Sequence, residues 1–173
     1  MKITKVETVY DGFYKLRKLT VQDGDQQLTR ERFEPGRAVA ALVYDTNKQE
    51  YVFVRQFRIG AEQEVEEIAA GMLDKGHESP EEALRREIEE ELGYAEVDHL
   101  EHIVTIFPSP GGNAETIGIY YAEVSQQSGA GGGVASENEN ITLLRLSRAE
   151  MDAREWRDAK TLIAVQWARL NKK

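Results

Sequence analysis

The chain has 173 residues, no cysteine and a formal net charge of -9 at pH 7. This length favours one domain, and the hydrophobic share of 40% supplies enough apolar material for a packed core. The absence of cysteine excludes disulfides, thiolate zinc sites and cysteine nucleophiles, and is typical of a cytoplasmic protein. The acidic balance argues against binding to nucleic acid or to an anionic membrane surface, because both depend on Lys and Arg.

The first third of the chain predicts β-strands. Alternating polar and apolar residues indicate three antiparallel strands, with the Asp23-Gly24 pair in the turn between the second and third. Two more continuously apolar runs then predict central strands of a sheet. The five predicted strands span residues 3–10, 14–21, 27–33, 38–44 and 51–57.

The clearest predicted helix begins after Ser79. This residue can serve as the N-cap, Pro80 suits the first helical position, and Glu82 completes a capping box. Gly93 is expected to end the helix, because glycine favours the position just past a helix C-terminus.

The remaining elements indicate an α+β fold. Residues 99–107, 116–124 and 141–146 are predicted strands, and residues 158–170 are a predicted closing helix. That helix is expected to bury an apolar face formed by Leu162, Ile163, Val165 and Trp167. Many strands with two unequally placed helices favour α+β over alternating βαβ units.

The acidic charge is concentrated in one segment. Residues 61–96 contain 13 acidic and 3 basic residues, and the rest of the chain carries about +1. On a helical wheel of about 100° per residue, Glu87, Glu90 and Glu91 share an arc of roughly 100°. Their mutual repulsion weakens a bare helix, and a divalent cation such as Mg²⁺ or Mn²⁺ would reverse it. The alternative interpretation is a simple solvated acidic face.

Residues 71–94 resemble the Nudix box. Glu78 stands seven residues before Arg86, and residues 86–94, Arg-Glu-Ile-Glu-Glu-Glu-Leu-Gly-Tyr, match every fixed position of the second half of that pattern. Six residues, one more than in the family pattern, separate Gly71 from Glu78. We interpret the extra residue as an insertion around Gly76-His77 in the loop before the helix.

The Nudix resemblance implies a fold, a reaction and a set of site residues. The implied fold is an α/β/α sandwich with a mixed β-sheet and an N-terminal antiparallel β subdomain. The implied reaction is Mg²⁺-dependent hydrolysis of a nucleoside diphosphate linked to another group, with Mn²⁺ as a possible substitute. The metal ligands would be Glu87, Glu90, Glu91 and the carbonyl of Ala70, while Arg86 would orient the carboxylates and Glu78 would support the loop.

Flanking segments indicate a branch of the family. Residues 54–58 and 67–71 are similar to ADP-ribose pyrophosphatases and their nucleotide-sugar-cleaving relatives. This similarity implies that Arg58 contacts the diphosphate, which suits the bidentate donors of arginine, and that Glu67 lies near the substrate. Residues 109–115, Ser-Pro-Gly-Gly-Asn-Ala-Glu, resemble another segment of that branch, which makes Glu115 a substrate-binding or metal-contacting candidate.

A glycine-rich stretch, residues 128–133, leads into the candidate general base. Residues 133–141 resemble the loop that delivers a catalytic glutamate in ADP-ribose pyrophosphatases, which implies that Glu137 is the base and Glu139 the alternative. Residues 130–134 also resemble GDP-mannose pyrophosphatases, so ADP-ribose and GDP-mannose both stay open as substrates. A non-catalytic Nudix-like ligand sensor is a third alternative.

The resemblance covers most of the chain and predicts one Nudix hydrolase domain over residues 1–173. Within it, residues 1–35 would be N-terminal strands that help to form a homodimer, and residues 36–173 would be the Nudix core. The expected partners are a small nucleoside diphosphate substrate and a second copy of the chain. Nucleic acid and membranes are not expected partners, and the expected location is the cytoplasm.

Overall fold

The computed structural model describes residues 1–73, 76–133 and 140–172. Ten strands lie within these ranges: β1 (Lys2–Asp11), β2 (Lys15–Asp23), β3 (Gln26–Glu34), β4 (Arg37–Asp45), β5 (Glu50–Arg58), β6 (Gln63–Glu67), β7 (Ala69–Met72), β8 (His99–Ile106), β9 (Thr116–Val124) and β10 (Thr142–Leu146). The helices are α1 (Pro80–Glu87), which continues as a π-helical turn (Ile88–Leu92), α2 (Arg148–Ala153) and α3 (Ala159–Asn171).

The chain divides into two compact units. The first comprises Met1–Arg37 together with Phe107–Thr116, and contains the antiparallel sheet β1-β2-β3. The strands β2 and β3 pair from Asp23↔Gln26 onward, which leaves a two-residue turn where Gly24 adopts a φ of +58°. The predicted N-terminal antiparallel strands and their hairpin turn are therefore confirmed.

The second unit contains the larger, mixed sheet. Its seven strands run in the order β10-β5-β4-β9-β8, while β6 pairs with β5 and β7 pairs with β4. Strand β4 pairs with β7 through Ala38–Ala41 and with β5 through Val43–Asp45. The consecutive strands β6 and β7 thus divide between β5 and β4, with Glu67 opposite Val54 of β5 and Ala70 opposite Ala40 of β4.

Alternate residues of β4 point to opposite faces of this sheet, as strand geometry requires. Val39, Ala41 and Val43 belong to a buried cluster that includes residues of α1 and the π-helical turn. Ala40 and Leu42 belong to a second cluster that includes residues of α2 and α3. The sheet is therefore covered by helices on both faces, and the predicted α/β/α sandwich is confirmed.

The helices differ from the sequence-based prediction in two ways. The helix predicted to begin after Ser79 is α-helical only as far as Glu87. It continues as a π-helical turn and ends at Gly93, which has a φ of +78°. Helix α3 buries Thr161, Ala164, Val165 and Ala168, whereas Leu162 is 41% exposed. The predicted apolar face is therefore confirmed at Val165 and, with partial burial, at Ile163 and Trp167, and it was wrong at Leu162.

Three short elements, β6, β7 and α2, were not predicted. The other boundaries lie within about two residues of the predicted ones, which is the usual scatter at element ends. No helix in the described part of the chain is long and apolar enough to cross a membrane.

Candidate active site

Helix α1 is fixed at its start by the predicted caps. The Ser79 Oγ accepts a hydrogen bond from the backbone N–H of Glu82 at 3.3 Å, and the Glu82 Oε2 accepts one from the Ser79 N–H at 2.8 Å. Pro80 occupies the first helical position. These contacts set the first residue of α1, and therefore which later side chains point away from the core.

Arg86 joins three carboxylates near the end of α1. Its Nη1 donates to Glu87 Oε1 at 2.6 Å and to Glu90 Oε2 at 2.9 Å. Its Nε and Nη2 donate to the two oxygens of Glu78 at 3.1 and 3.2 Å. Burial lowers the pKa of Arg86, but the hydrogen bond to Glu78 and the charge of Glu87 outweigh it and raise the pKa above its usual value. Arg86 is therefore a permanent cation that holds three acidic side chains in one place.

The extra residue in the loop before α1 does not separate Glu78 from Arg86. The two side chains form a paired contact of the fork type that is specific to arginine and carboxylates. Gly76 adopts a φ of +62°, a conformation that glycine adopts without steric cost. The contact between Glu78 and Arg86 thus forms with six residues between Gly71 and Glu78, and the insertion around Gly76-His77 stays a prediction.

Strand β7 contacts two of the candidate metal ligands. A Cβ placed on Gly71 would lie 1.9 Å from both Cδ and Oε1 of Glu87, so the carboxylate rests directly on this glycine. The backbone N–H of Ala70 donates to Glu91 Oε2 at 3.1 Å. The residue Glu91 is 1% exposed and the residue Glu87 is 8% exposed, so both carboxylates are held within packed surroundings.

The glycine-rich stretch binds the carboxyl end of the π-helical turn. The N–H of Gly132 donates to the Glu91 carbonyl at 2.8 Å, and that of Gly133 to the Glu90 carbonyl at 3.1 Å. The N–H groups of Ser128 and Gly129 both donate to the Gly93 carbonyl, at 2.8 and 3.0 Å. These bonds satisfy carbonyls that a helix end leaves without intrahelical partners. The stretch is thus an ordered cap on the segment that carries Glu90 and Glu91.

A buried ion-pair network lies at the ends of β5 and β6. Glu67, 2% exposed, accepts a hydrogen bond from Arg58 Nε to its Oε1 at 2.5 Å and one from Lys160 Nζ to its Oε2. Lys160 also contacts Asp158 Oδ1 at 3.1 Å. Burial lowers the pKa of Arg58, but the hydrogen bond and charge of Glu67, followed by the charges of Glu91 and Asp158, outweigh it and raise the pKa.

The remaining candidates lie in the first unit or outside the described residues. Glu115 lies in the first unit, where its N–H donates to Asn113 Oδ1 at 2.9 Å and its Oε2 accepts from Asn113 Nδ2 at 3.3 Å. Glu137 and Glu139 lie outside the described residues. The general-base prediction therefore stays a prediction.

The chemistry of the donor set fits a hard divalent cation. Three glutamates supply carboxylate oxygens, the ligands that Mg²⁺ and Mn²⁺ prefer. Within the described residues, no three acidic or histidine side chains converge closely enough to form a ready metal site. The Arg86 guanidinium contacts both Glu87 and Glu90 through one nitrogen, which places a positive group between two of the predicted ligands.

Sequence reasoning missed two features of the candidate site. Lys160 was not considered, although it lies two residues after the helix cap Asp158, in the first turn of α3. The glycine-rich stretch was interpreted only as a loop leading to the general base. Its docking on the π-helical turn could not be foreseen, because a sequence pattern does not show which carbonyls are left for a distant loop to bind.

A family model described as NUDIX domain matches residues 34–166. The chain belongs to the Nudix family. The matched range covers the Arg86 cluster, which is Arg86 with Glu78, Glu87 and Glu90. It also covers the candidate substrate residues Arg58 and Glu67 and the glycine-rich stretch. The predicted family is therefore confirmed.

Curated relatives match nearly the whole chain. An ADP-ribose pyrophosphatase of Haemophilus influenzae is 33% identical over 99% of this chain and 87% of its own length. A GDP-mannose pyrophosphatase of Citrobacter koseri is 34% identical over 96% of this chain and 94% of its own length. A solved structure titled an ADP compounds hydrolase superposes with a TM-score of 0.80 at 21% identity, covering 99% of this chain and 95% of that one. That structure supports the Nudix fold.

Proposed function

We propose that this Nudix enzyme hydrolyses the pyrophosphate bond of a nucleoside diphosphate sugar, with ADP-ribose as the first candidate substrate. The products would be a nucleoside monophosphate and a sugar phosphate. The observation that carries the proposal is the Arg86 cluster, in which one guanidinium gathers Glu78, Glu87 and Glu90 beside Gly71. The names of the relatives support a nucleotide-sugar substrate.

Glu87, Glu90, Glu91 and the carbonyl of Ala70 would hold the divalent cation, with Mg²⁺ as the candidate and Mn²⁺ as a possible substitute. The chemistry supplied by such a bound ion is polarisation of the pyrophosphate and stabilisation of charge on the leaving phosphate. Arg86 holds the side chains of Glu87 and Glu90 in place through hydrogen bonds from its Nη1. Their orientation is thereby set before the substrate arrives, which reduces the entropy cost of assembling the site.

Arg58 would bind the diphosphate. Its side chain is 42% exposed at the end of β5, and its Nε is anchored on Glu67. Arginine binds phosphate oxygens through paired N–H donors, and a guanidinium bound through Nε still carries two Nη groups that can donate. Glu115 is a further candidate for contacting the substrate or the metal.

Glu137 would act as general base and remove a proton from the attacking water, with Glu139 as the alternative base or a substrate contact. Both residues lie outside the described ranges. Comparing Glu137→Gln with Glu139→Gln decides between them. The variant of the true base should lose about a hundredfold or more in kcat while keeping its metal affinity, and unchanged turnover in Glu137→Gln would remove Glu137 from this role.

GDP-mannose is the second candidate substrate. The GDP-mannose pyrophosphatase relative is as similar to this chain as the ADP-ribose pyrophosphatase, at 34% against 33% identity. Assays of both compounds with Mg²⁺, followed by identification of the products, separate the two. Tight binding of either compound without hydrolysis would instead favour the ligand sensor.

The location and assembly form part of the same proposal. The enzyme would work in the cytoplasm as a homodimer formed through its N-terminal strands, residues 1–35, with residues 36–173 as the catalytic core. It would bind no nucleic acid or membrane, as the acidic charge suggests. Sedimentation of the purified chain tests the dimer, and a monomer at micromolar concentration would overturn it.

A further inference from the structure

Lys160 contacts Glu67, the glutamate that anchors the proposed diphosphate ligand Arg58. The lysine lies 93 residues after Glu67 in the chain. Helix α3 brings it there. Asp158 caps the helix by accepting hydrogen bonds from the N–H of Thr161 at 2.9 Å and from its Oγ1 at 2.6 Å. The Thr161 Oγ1 in turn accepts one from the N–H of Ile68 at 2.9 Å. The first turn of α3 is thereby attached to the backbone residue next to Glu67.

We propose that Lys160 is a positioning residue that keeps the Arg58 guanidinium available for the substrate diphosphate by occupying one oxygen of Glu67. The inference rests on the proposed function of Arg58 as the diphosphate ligand. It also changes the expected role of Glu67, which would orient Arg58 instead of contacting the substrate.

The observation behind this inference is that each oxygen of the Glu67 carboxylate contacts a different cation. The two oxygens of Glu67 serve different cations, Oε1 accepting from Arg58 Nε and Oε2 from Lys160 Nζ. Within the described residues, the hydrogen bond of Arg58 to Glu67 uses Nε alone. Among the residues that the structure describes, no hydrogen bond occupies either Nη group of Arg58, and both can donate to a ligand.

Removal of Lys160 would leave a buried carboxylate oxygen without its donor. A buried acceptor without a partner is costly, and the preferred contact between arginine and a carboxylate is bidentate. In Lys160→Met, the guanidinium of Arg58 should therefore rotate and donate to Glu67 through Nη as well as Nε. One of the donors that would bind phosphate is then withdrawn from the substrate.

Steady-state kinetics at saturating Mg²⁺ test this role with three variants. Lys160→Met should raise KM for ADP-ribose about tenfold, the loss expected for one hydrogen bond to a charged group, with kcat changed less than about threefold. Lys160→Arg restores a donor for Glu67 and should recover most of the affinity. Unchanged KM in folded Lys160→Met, or an equal loss in Lys160→Arg and Lys160→Met, would overturn the proposal.

Arg169→Met is the matched control. Arg169 lies on the same helix and also forms an ion pair, with its Nε 2.9 Å from Asp152 Oδ1, but it does not contact Glu67. The control should lower thermal stability without raising KM. An increase in KM equal to that of Lys160→Met would show that both act through loss of helix packing, and would overturn the positioning role.

A crystal structure of Lys160→Met separates this inference from the proposed function, because it needs no turnover. The expected structure has Arg58 in a bidentate contact with Glu67. An Arg58 that keeps its single Nε contact would overturn the inference even if ADP-ribose is the substrate. Absence of hydrolysis by the wild-type chain, together with a bidentate Arg58 in the variant, would overturn only the proposed function.

Discussion

The carboxylate of Glu87 rests against the backbone of Gly71, where any side chain would overlap it. A Cβ at position 71 would lie 1.9 Å from Glu87 Cδ and 2.4 Å from its Cγ. Real Cβ atoms do not approach so closely, so a side chain here must displace Glu87. The first glycine of the Nudix box thus leaves space for a predicted metal ligand, and β7 and the end of α1 meet at this contact.

Gly71→Ala should therefore weaken metal binding. Displacement of Glu87 removes one carboxylate from the predicted ligands, and we expect the affinity for Mn²⁺ to fall about tenfold or more, by analogy with the loss of groups that orient metal ligands. Electron paramagnetic resonance of free Mn²⁺ measures this directly. Gly60→Ala is the control, because among the described residues its Cβ would meet no atom within 4 Å. Equal Mn²⁺ affinity in both variants would contradict the account.

Arg86→Lys should lower kcat strongly although the charge is kept. A lysine ammonium cannot reproduce the planar fork that contacts Glu78, Glu87 and Glu90 at once. A small misplacement of the carboxylates can cost about a hundredfold in rate. Arg85→Lys provides the neighbouring control, because Arg85 donates to the Val97 carbonyl instead of to the cluster. Near-normal kcat in Arg86→Lys would show that charge alone is sufficient.

Gly131→Ala should detach the glycine-rich cap. Its φ is +67°, and a Cβ would lie 2.5 Å from the Glu91 carbonyl oxygen, which is backbone and cannot easily move. Gly24→Ala is the control that separates the strain of a positive φ from the overlap with the Glu91 carbonyl. Gly24 has a similar φ of +58°, but among the described residues its Cβ would meet no atom within 4 Å. Gly131→Ala should lose both stability and activity, whereas Gly24→Ala should lose only about 1 kcal/mol of stability. Urea unfolding and kcat measure the difference. Equal effects in the two variants would contradict the role of the glycine-rich stretch as a cap on the π-helical turn.

The stability of the second unit should depend on pH through Asp45. Burial raises the pKa of Asp45, but hydrogen bonds from the Tyr94 hydroxyl and the Lys48 N–H outweigh it, so the net shift is downward from 3.8. A carboxylate with a lowered folded pKa stabilises the protein above its unfolded pKa, and this stability is lost as pH falls through the folded value. Asp45→Asn should cost about 1–3 kcal/mol at pH 7.

The pH profile of that variant provides the check. The difference between wild type and Asp45→Asn in the free energy of unfolding should shrink as the pH falls below about 4, because the wild-type carboxylate then becomes protonated. Urea unfolding at several pH values measures it. A difference that stays constant from pH 7 to pH 3 would show that the ionised form of Asp45 is not the source of the stability.

Local patterns in the sequence predicted the strands and the start of α1. Alternation in β1 to β3 and the caps at Ser79 and Glu82 depend on neighbours in sequence, which are visible without a structure. Strands β6 and β7 were missed because residues 63–72 combine acidic and small residues and pair with two different strands. Such a division of partners depends on the fold as a whole.

The candidate site was also predicted only where it depends on residues that are near each other in the sequence. The fixed spacing of the Nudix box identified Arg86, Glu87 and Glu90, which the structure brings into one cluster. The π-helical turn could not be predicted, because it changes hydrogen-bond register without changing the residue pattern. Lys160 was missed because its partner Glu67 is 93 residues away, beyond any periodicity.

The central claim is that the carboxylates gathered by Arg86 support metal-dependent cleavage of a pyrophosphate bond. Phosphorus NMR of the wild-type chain with ADP-ribose, with Mg²⁺ and then with excess EDTA, tests it most directly. The account predicts conversion of the two diphosphate signals into the two monophosphate signals of AMP and ribose 5-phosphate only when Mg²⁺ is present. Persistence of the diphosphate signals with Mg²⁺, for both ADP-ribose and GDP-mannose, or equal conversion in EDTA, would contradict it.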